Sequence, residues 1–432
     1  MQSRKCVVVW GGHGLKREAP HMCRSPARAT FEALSPTMME IARMPLPFVS
    51  SAEGHATAPE TGVLAMRAVH RAIADLRRGT PVLVGGPDGA LVIAAAETVG
   101  AEGLRELMAV ALATPILLLA PVRAAAVLSR PVSLTAPEQG AVALCLPEGL
   151  LTPERLRGLA DPTAELVLPE QPERVAAPAL AALALALAKL GRLLPALVAA
   201  PAREGLAAES QGLAHVAAAD IAAYPPSAAT TLRPVAEARV PLEHVPEARI
   251  TAFRAADGGI EHLAILVGDP VGFAAAGGTP LARAHSECFT GDLLGSLRCD
   301  CGPQLRGALH KMASHGHGVL LYLAQEGRGI GLVNKLRAYS LQDQGLDTLD
   351  ANRALGYGAD ERNFLVAAEM LRQLGIARVQ LLTNNPDKLA SLAACGIEVE
   401  GRVSHEFAGN GVNDGYLATK AERFGHMIGE KG

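Results

Sequence analysis

Aromatic residues are scarce in this 432-residue chain: one Trp, five Tyr and eight Phe make up 3% of it. Because 49% of the residues are still hydrophobic, the bulk of any core must come from Ala, Leu and Val. An excess of charge is also missing. Forty Lys and Arg face 43 Asp and Glu, for a net charge of −3, so there is no global pull toward nucleic acid or an anionic membrane and any anion site must be local. Long apolar runs are absent as well. The nearest, "VAAPALAALALALAKLGRLLPALVAA" (175–200), is interrupted by Pro178, Lys189, Arg192 and Pro195. It falls short of the ~20 continuous apolar residues that cross a bilayer and reads as a helix packed in a soluble core. "CVVVW" is too short for the apolar part of a secretory leader. Seven cysteines (Cys6, Cys23, Cys145, Cys288, Cys299, Cys301, Cys395) are odd in number and unevenly placed. That argues against a secreted disulfide scaffold and for a cytoplasmic chain with one local metal or redox cluster.

Texture divides the chain. Residues 1–60 mix Arg, Pro, Met and Ser without period and are expected to be an irregular or disordered extension. Residues 61–218 turn regular: "TGVLAMRAVHRAIADLRRG" has helical spacing and a Gly stop, and "TPVLVGG" and "ALVIAAA" read as strands about a turn. The Pro- and Ala-rich passage 219–241 is expected to be a linker. From 242 to 432 the chain gains Asp, Asn, Gln and His, and strands such as "HLAILVG" and "GVLLYLA" alternate with amphipathic helices. The expectation is a two-domain α/β (mixed α+β) protein.

Three of the cysteines fall in "HSECFTGDLLGSLRCDCGPQL" (285–305), with Cys299 and Cys301 flanking Asp300 and Cys288 eleven residues upstream. A Cys-x-Cys pair does not readily close its own disulfide, and an unpaired third thiol suits a metal better. Zinc takes four protein ligands at structural sites and three plus water at catalytic ones. Spacing alone leaves both open, because His285 or His310 could complete a closed shell, and unrelated buried thiols remain a third reading. Three thiolates would leave zinc with a net charge of −1. An open site would then need nearby acids and cations to help activate water, and Arg283, Glu287, Arg298 and Arg306 flank this one.

Other segments point the same way. "QEGRGIGLVNKLRAY" (325–339) joins a predicted strand to a predicted helix, and its glycines and helix N-terminus suit a phosphate, with Arg328 and Lys335 adding charge. Its glycine spacing matches neither a Walker loop nor a dinucleotide fingerprint. "GYGADERNF" (356–364) sets Asp360 and Arg362 two apart, either as a cap with a solvated arginine or as an acid/base beside a phosphate contact or nucleophile. "LLTNNPDK" (381–388) ends a strand where Thr383 and Lys388 could meet a ligand. Together these features suggest a zinc hydrolase acting on a phosphorylated heterocycle. A nucleobase deaminase, which needs a Pro-Cys-x-x-Cys pair and an upstream His-x-Glu, does not fit.

These four motifs, in order over about 235–428, resemble those of GTP cyclohydrolase II, an enzyme of riboflavin biosynthesis. The resemblance implies one zinc ion per subunit on Cys288, Cys299 and Cys301, with water rather than His285 in the fourth position. It implies GTP contacts from Arg283, Ala284, His285, Ser286, Glu287, Gln304, Glu326, Gly327, Arg328, Thr348, Thr383 and Lys388. Asp360 would be the proton acceptor, Arg362 the nucleophile at the α-phosphate, and Tyr322 a tyrosine associated with completing the reaction. The implied chemistry opens the guanine imidazole ring at C8 and releases formate and pyrophosphate, with Mg²⁺ screening the triphosphate. The implied assembly is a homodimer, with neither nucleic acid nor membrane as partner. Two alternatives stand beside it: a paralogue that only partly opens the ring or takes another purine nucleotide, and a non-catalytic nucleotide sensor with structural zinc.

The first half is similar, more faintly, to dihydroxybutanone phosphate synthase over 72–108, mainly in its hydrophobic frame and the "AAE" ending at Glu97. Where that family carries a dense acidic run there is "GGPDGA" with a single Asp88, and the family's metal-binding histidine has no counterpart near "ALALALAKLGRLLPALV". A site so poor in carboxylates cannot hold Mg²⁺. The expectation is a domain that keeps the frame without the synthase chemistry and serves assembly or regulation.

Overall fold

The computed structural model describes residues 61–87, 89–132, 140–165, 167–203 and 212–427. The extension expected at 1–60 and Asp88 lie outside these residues, as do Cys6 and Cys23.

The first half runs α1 (Thr61–Arg78), β1 (Val82–Gly86), β2 (Gly89–Ala95), α2 (Ala101–Val110), β3 (Ile116–Leu119), α3 (Pro121–Val127) and β4 (Val142–Cys145). It continues through α4 (Pro153–Ala160), β5 (Glu173–Val175), α5 (Ala181–Leu190), β6 (Ala196–Pro201), β7 (Ala214–Ala217) and α6 (Ala218–Thr230). The second half opens with β8 (Arg233–Arg239), β9 (Arg249–Arg254), β10 (His262–Gly268), α7 (Pro270–Ala275), β11 (Leu281–Ser286), α8 (Cys301–His315) and β12 (His317–Leu323). It closes with α9 (Leu332–Asp343), α10 (Thr348–Ala354), α11 (Leu365–Gln373), β13 (Arg378–Leu382), α12 (Pro386–Ala394), β14 (Glu398–Val403) and α13 (Asp414–Phe424).

These strands build two seven-stranded mixed sheets, ordered β5-β4-β3-β6-β2-β1-β7 and β14-β13-β11-β12-β10-β9-β8. In the second sheet β12, β11, β13 and β14 run parallel to one another, with β10, β9 and β8 added antiparallel beyond β12. Ligands of open α/β sheets gather beyond the C-terminal ends of parallel strands. Here those ends release Ser286–Glu287 after β11, Ala324–Gly331 after β12 and Thr383–Lys388 after β13. Local chemistry sets where the following helices start. Asp347 caps α10 through its side chain, and Asn385 does the same for α12, with Pro386 in the first turn where no N–H is needed.

The linker expected at 219–241 is not one. Its first part is α6 and its second is β8, hydrogen-bonded to β9, so the second sheet begins at Arg233 rather than at 242. Pro225 and Pro226 sit inside α6, where proline costs about 3 kcal/mol relative to alanine. Burial of Ala218, Ile221 and Ala229 in two cores offsets that cost, and Asn363 Nδ2 donates to Pro225 O at 3.0 Å.

The halves share a hydrophobic core. One face of the first sheet packs on α1, α5 and α6. Its other face, with Leu117, Leu119, Leu144 and Val198, meets Ile330, Ala338, Leu341, Ala351, Leu355 and Tyr357 from around α9 and α10. Polar pairs lock the same seam: Arg337 of α9 reaches Glu97 at 3.0 Å and Asp161 at 2.8 Å, all three side chains being about four-fifths buried. Arg337→Met strands both carboxylates. It is expected to lower unfolding free energy in urea by about 3 kcal/mol, the usual cost of removing one partner of a buried ion pair. A loss under about 1 kcal/mol would show that the two acids are not held by this guanidinium.

Candidate active site

Cys288 follows β11, Cys299 precedes α8 and Cys301 opens it, and the turn between them folds back so that the three sulfurs lie within 4.8 Å of one another. Cys288 Sγ and Cys299 Sγ are 3.8 Å apart, and both residues are buried. Among the described residues these are the one group of three metal-capable side chains. Gly291 sits against them. A Cβ there would lie 2.7 Å from Cys299 Sγ and 2.9 Å from Cys288 Sγ, so only glycine lets the turn close over the sulfurs. Soft donors converging in a cradle of this size suit zinc.

Charge around the sulfurs is arranged to keep a thiolate. Lys335 Nζ lies 3.0 Å from Cys288 Sγ and 2.9 Å from Glu326 Oε1. Hydrogen bonds from Cys299 and Cys301, with Lys335 beside them, hold the Cys288 thiol far below its ordinary range. The other two thiols are pushed up, first by their hydrogen bonds to Cys288, then by burial and by the charge on Cys288. Burial opposes charge on Lys335, but Glu326 and Cys288 outweigh it and raise its pKa. Glu326 also accepts from Phe289 N at 2.6 Å, tying the loop after β12 to the cysteine turn. Asp300 turns the other way and pairs with Lys420 of α13 at 2.6 Å.

The cysteines sit at one end of a cavity of about 150 Å³ whose walls come from all three strand ends. It is lined by His285, Ser286, Glu287, Gln304, Glu326, Gly327, Thr348 and Thr383, and by the cations Arg283, Arg328, Arg362 and Lys388. Ala284, Tyr322 and Asp360 do not line it. The Ala284 carbonyl accepts from Lys388 at 2.8 Å. Tyr322 donates to Asp292 at 3.0 Å, and His285 Nε2 lies 3.2 Å from both oxygens of the same carboxylate. Asp360 grips Arg362 through Nε at 2.8 and 3.0 Å. Burial would raise the Asp360 pKa, but the Arg362 guanidinium more than compensates and holds it down.

The cavity is electropositive. Burial, then Arg362 and Arg283, push Lys388 well below the ordinary lysine range. Burial drops Arg283 to about 10. His426 is held to about 3 by burial and by Lys420, Arg328, Lys388 and Arg362. Such a floor favours a polyanion, whose charge would relieve the mutual repulsion. Burial and the neighbouring Glu326 raise the Glu287 pKa.

Several flanking residues take other roles than their position suggested. His310 is exposed and stacks edge-on with His244, 5.9 Å away, so it does not complete a metal shell. Arg298 pairs with Asp343 at 2.6 Å, and Arg306 is exposed. Sequence reasoning assigned Lys335 to a phosphate, whereas it touches sulfur. It missed Asp292, Asn385, His405, Tyr416, Lys420 and His426; the polar run "TNNPDK" was the only signal for Asn385. In the first half, Glu97 is committed to Arg337 and to Leu194 N at 2.8 Å.

A family model described as GTP cyclohydrolase II matches residues 233–404. A GTP cyclohydrolase-2 from Azospirillum brasilense is 52% identical over 390 residues, spanning 86% of this chain and 98% of that one. A riboflavin biosynthesis protein RibBA from Synechocystis is 51% identical over 183 residues, 42% of this chain and 32% of that one. A solved two-domain 3,4-dihydroxy-2-butanone 4-phosphate synthase, RibBX from A. baumannii, aligns with 79% of this chain and 99% of its own, at 20% identity and a TM-score of 0.30.

The Gly291 cradle can be tested directly. Gly291→Ala drives a methyl into two sulfurs and is expected to weaken zinc retention about 10- to 100-fold, as loss of a supporting shell does. Metal content after dialysis against graded chelator reads this. Wild-type retention in the variant would show that the turn does not set the sulfur geometry.

Proposed function

The chain belongs to the GTP cyclohydrolase II family, and on that premise we propose that it hydrolyses GTP to 2,5-diamino-6-(5-phospho-ribosylamino)pyrimidin-4(3H)-one, formate and pyrophosphate in riboflavin biosynthesis. The observation that carries the proposal is the meeting of three clustered thiols, two of them buried, and a cation-lined cavity at one strand end.

Cys288, Cys299 and Cys301 would hold one zinc ion per subunit. Zinc in such a shell supplies a Lewis acid that polarises a substrate and lowers the pKa of water toward neutrality. Lys335 offsets part of the charge of three thiolates, which would otherwise blunt that acidity. Arg283, Arg328 and Lys388 bind the triphosphate, with Mg²⁺ balancing the charge that side chains leave over. His285, Ser286, Glu287, Gln304, Gly327, Thr348 and Thr383 shape the remaining wall around the nucleotide, and the Ala284 carbonyl orients Lys388.

Arg362 lines the cavity with its guanidinium forked on Asp360. In the proposed release of pyrophosphate Arg362 attacks the α-phosphate, Asp360 takes its proton, and water then frees the nucleoside monophosphate. Tyr322 is assigned the passing of a proton during the hydrolyses at C8, an assignment supported by its link through Asp292 to His285, which lines the cavity. The assembly proposed is a cytoplasmic homodimer with neither nucleic acid nor membrane as partner, in keeping with the balanced charge and cysteine usage. Among the described residues no helix is long and apolar enough to cross a membrane.

The first half is read as a synthase frame without synthase chemistry. Its Glu97 is tied into the seam with α9, and Leu180 packs where a Cβ on Gly86 would come within 2.8 Å.

Purified protein incubated with GTP, Zn²⁺ and Mg²⁺ is expected to release formate and pyrophosphate in equal amounts, and Cys301→Ser to release formate only at background. Pyrophosphate without formate would favour a paralogue that stops early, and neither product a nucleotide sensor. Dihydroxybutanone phosphate formed from ribulose 5-phosphate would overturn the reading of the first half.

A further inference from the structure

The loop after β12 is held in a conformation it would not choose alone. Gly327, Arg328 and Gly329 have φ of +64°, +62° and +98°. Arg328 carries a Cβ, and a left-handed φ costs such a residue about 1–3 kcal/mol and persists only where the surroundings impose it. Part of what imposes it comes from the other half of the chain. Just past the end of α5, Arg192 Nη2 donates to Ala324 O at 2.6 Å, at the root of the loop. The Ala324 N–H donates to His262 Nδ1 at 3.0 Å, so this residue is held through both of its backbone polar groups.

The far end of the loop rests on the same arginine. Gly331 has φ +86°, and a Cβ there would lie 3.0 Å from the Cβ and Cδ of Arg192. The Arg192 carbonyl accepts from Asn334 Nδ2 of α9 at 2.9 Å. One turn earlier, Lys189 pairs with Glu361 at 2.9 Å, between Asp360 and Arg362. Glu361 N in turn donates to Arg328 O at 3.0 Å. The end of α5 thus reaches both the Gln325–Gly331 loop and the Gly358–Arg362 turn. The Arg192 charge also faces the carboxylates of Glu287 and Glu326, which look into the cavity.

We propose that Arg192, assisted by Lys189, is a positioning residue for the second half's active site, so that the first half serves as a built-in brace for catalysis. The proposal rests on the GTP cyclohydrolase reading for its substrate but concerns a structural coupling that is measurable without turnover. Loss of the brace frees the loop that carries Glu326 and Arg328 and lets the Asp360–Arg362 turn drift. Misplacement of that size typically lowers turnover about 10- to 100-fold.

The test compares Arg192→Ala, Arg192→Lys and Glu97→Gln in the full-length zinc-loaded protein. Hydrogen–deuterium exchange is expected to speed up in amides of 325–331 and 358–362 for Arg192→Ala, with zinc content unchanged. On GTP the same variant should raise KM and lower kcat, for a combined loss of about 10- to 100-fold, and Arg192→Lys should recover part of both. Glu97→Gln loosens the same seam away from the loop and should lower the melting temperature without that kinetic change. Wild-type protection of both segments in Arg192→Ala would overturn the proposal, as would an equal kinetic loss in Glu97→Gln. If wild-type protein releases no formate, the functional reading fails, while the exchange experiment still decides on the brace.

Discussion

Gathering three thiolates in a buried pocket is the constraint on which the rest of this structure turns. Two unit charges about 4 Å apart repel by about 4 kcal/mol at an effective dielectric near 20, so three such pairs cost roughly 12 kcal/mol. That rivals the whole stability of a typical domain, about 5–15 kcal/mol. Without a divalent cation, one ionised sulfur opposes ionisation of the other two. The charge falls on Cys288, which touches Lys335, and it pushes the neighbouring thiols the other way. The lysine needs Glu326 to stay charged where it is buried, and Glu326 needs the strained loop that presents it. Each step outward from the sulfurs is a charge that must be met by another.

The cavity beyond the sulfurs carries the opposite imbalance. Burial loosens the proton on Arg283, and burial together with neighbouring cations does the same for Lys388 and His426. A pocket with thiolates at one end and crowded cations at the other is matched by a ligand that meets metal at one end and is polyanionic at the other. A purine nucleoside triphosphate has that polarity. Helices α9 and α10, which bring Lys335 and Thr348 to the cavity, are themselves packed on the first sheet, so this part of the polar apparatus stands on a hydrophobic floor that the second half does not supply alone.

Much of the site was legible because it lies in contiguous segments. Each parallel strand delivers its polar end to the same edge, so motifs far apart in sequence, around Cys288, Arg328 and Lys388, could be read singly and still meet in space. What could not be read was set by partners more than a hundred residues away. Asp300 looks like part of the metal motif, yet its partner is Lys420. Nothing in "AKLGRLLP" says that Arg192 will meet Ala324. Prolines 225 and 226 signalled a linker, because local propensity cannot register the packing that carries a helix through them. Tyr322 was found by resemblance, but its place, on Asp292 rather than on the cavity wall, came only with the fold.

The account stands or falls on the coordination of the metal. X-ray absorption at the zinc edge of the purified protein measures it directly. The expected shell is three sulfurs at about 2.3 Å and one oxygen at about 2.0–2.2 Å, the oxygen marking the open position. A shell of four sulfur or nitrogen donors would instead make the site structural and would contradict the account.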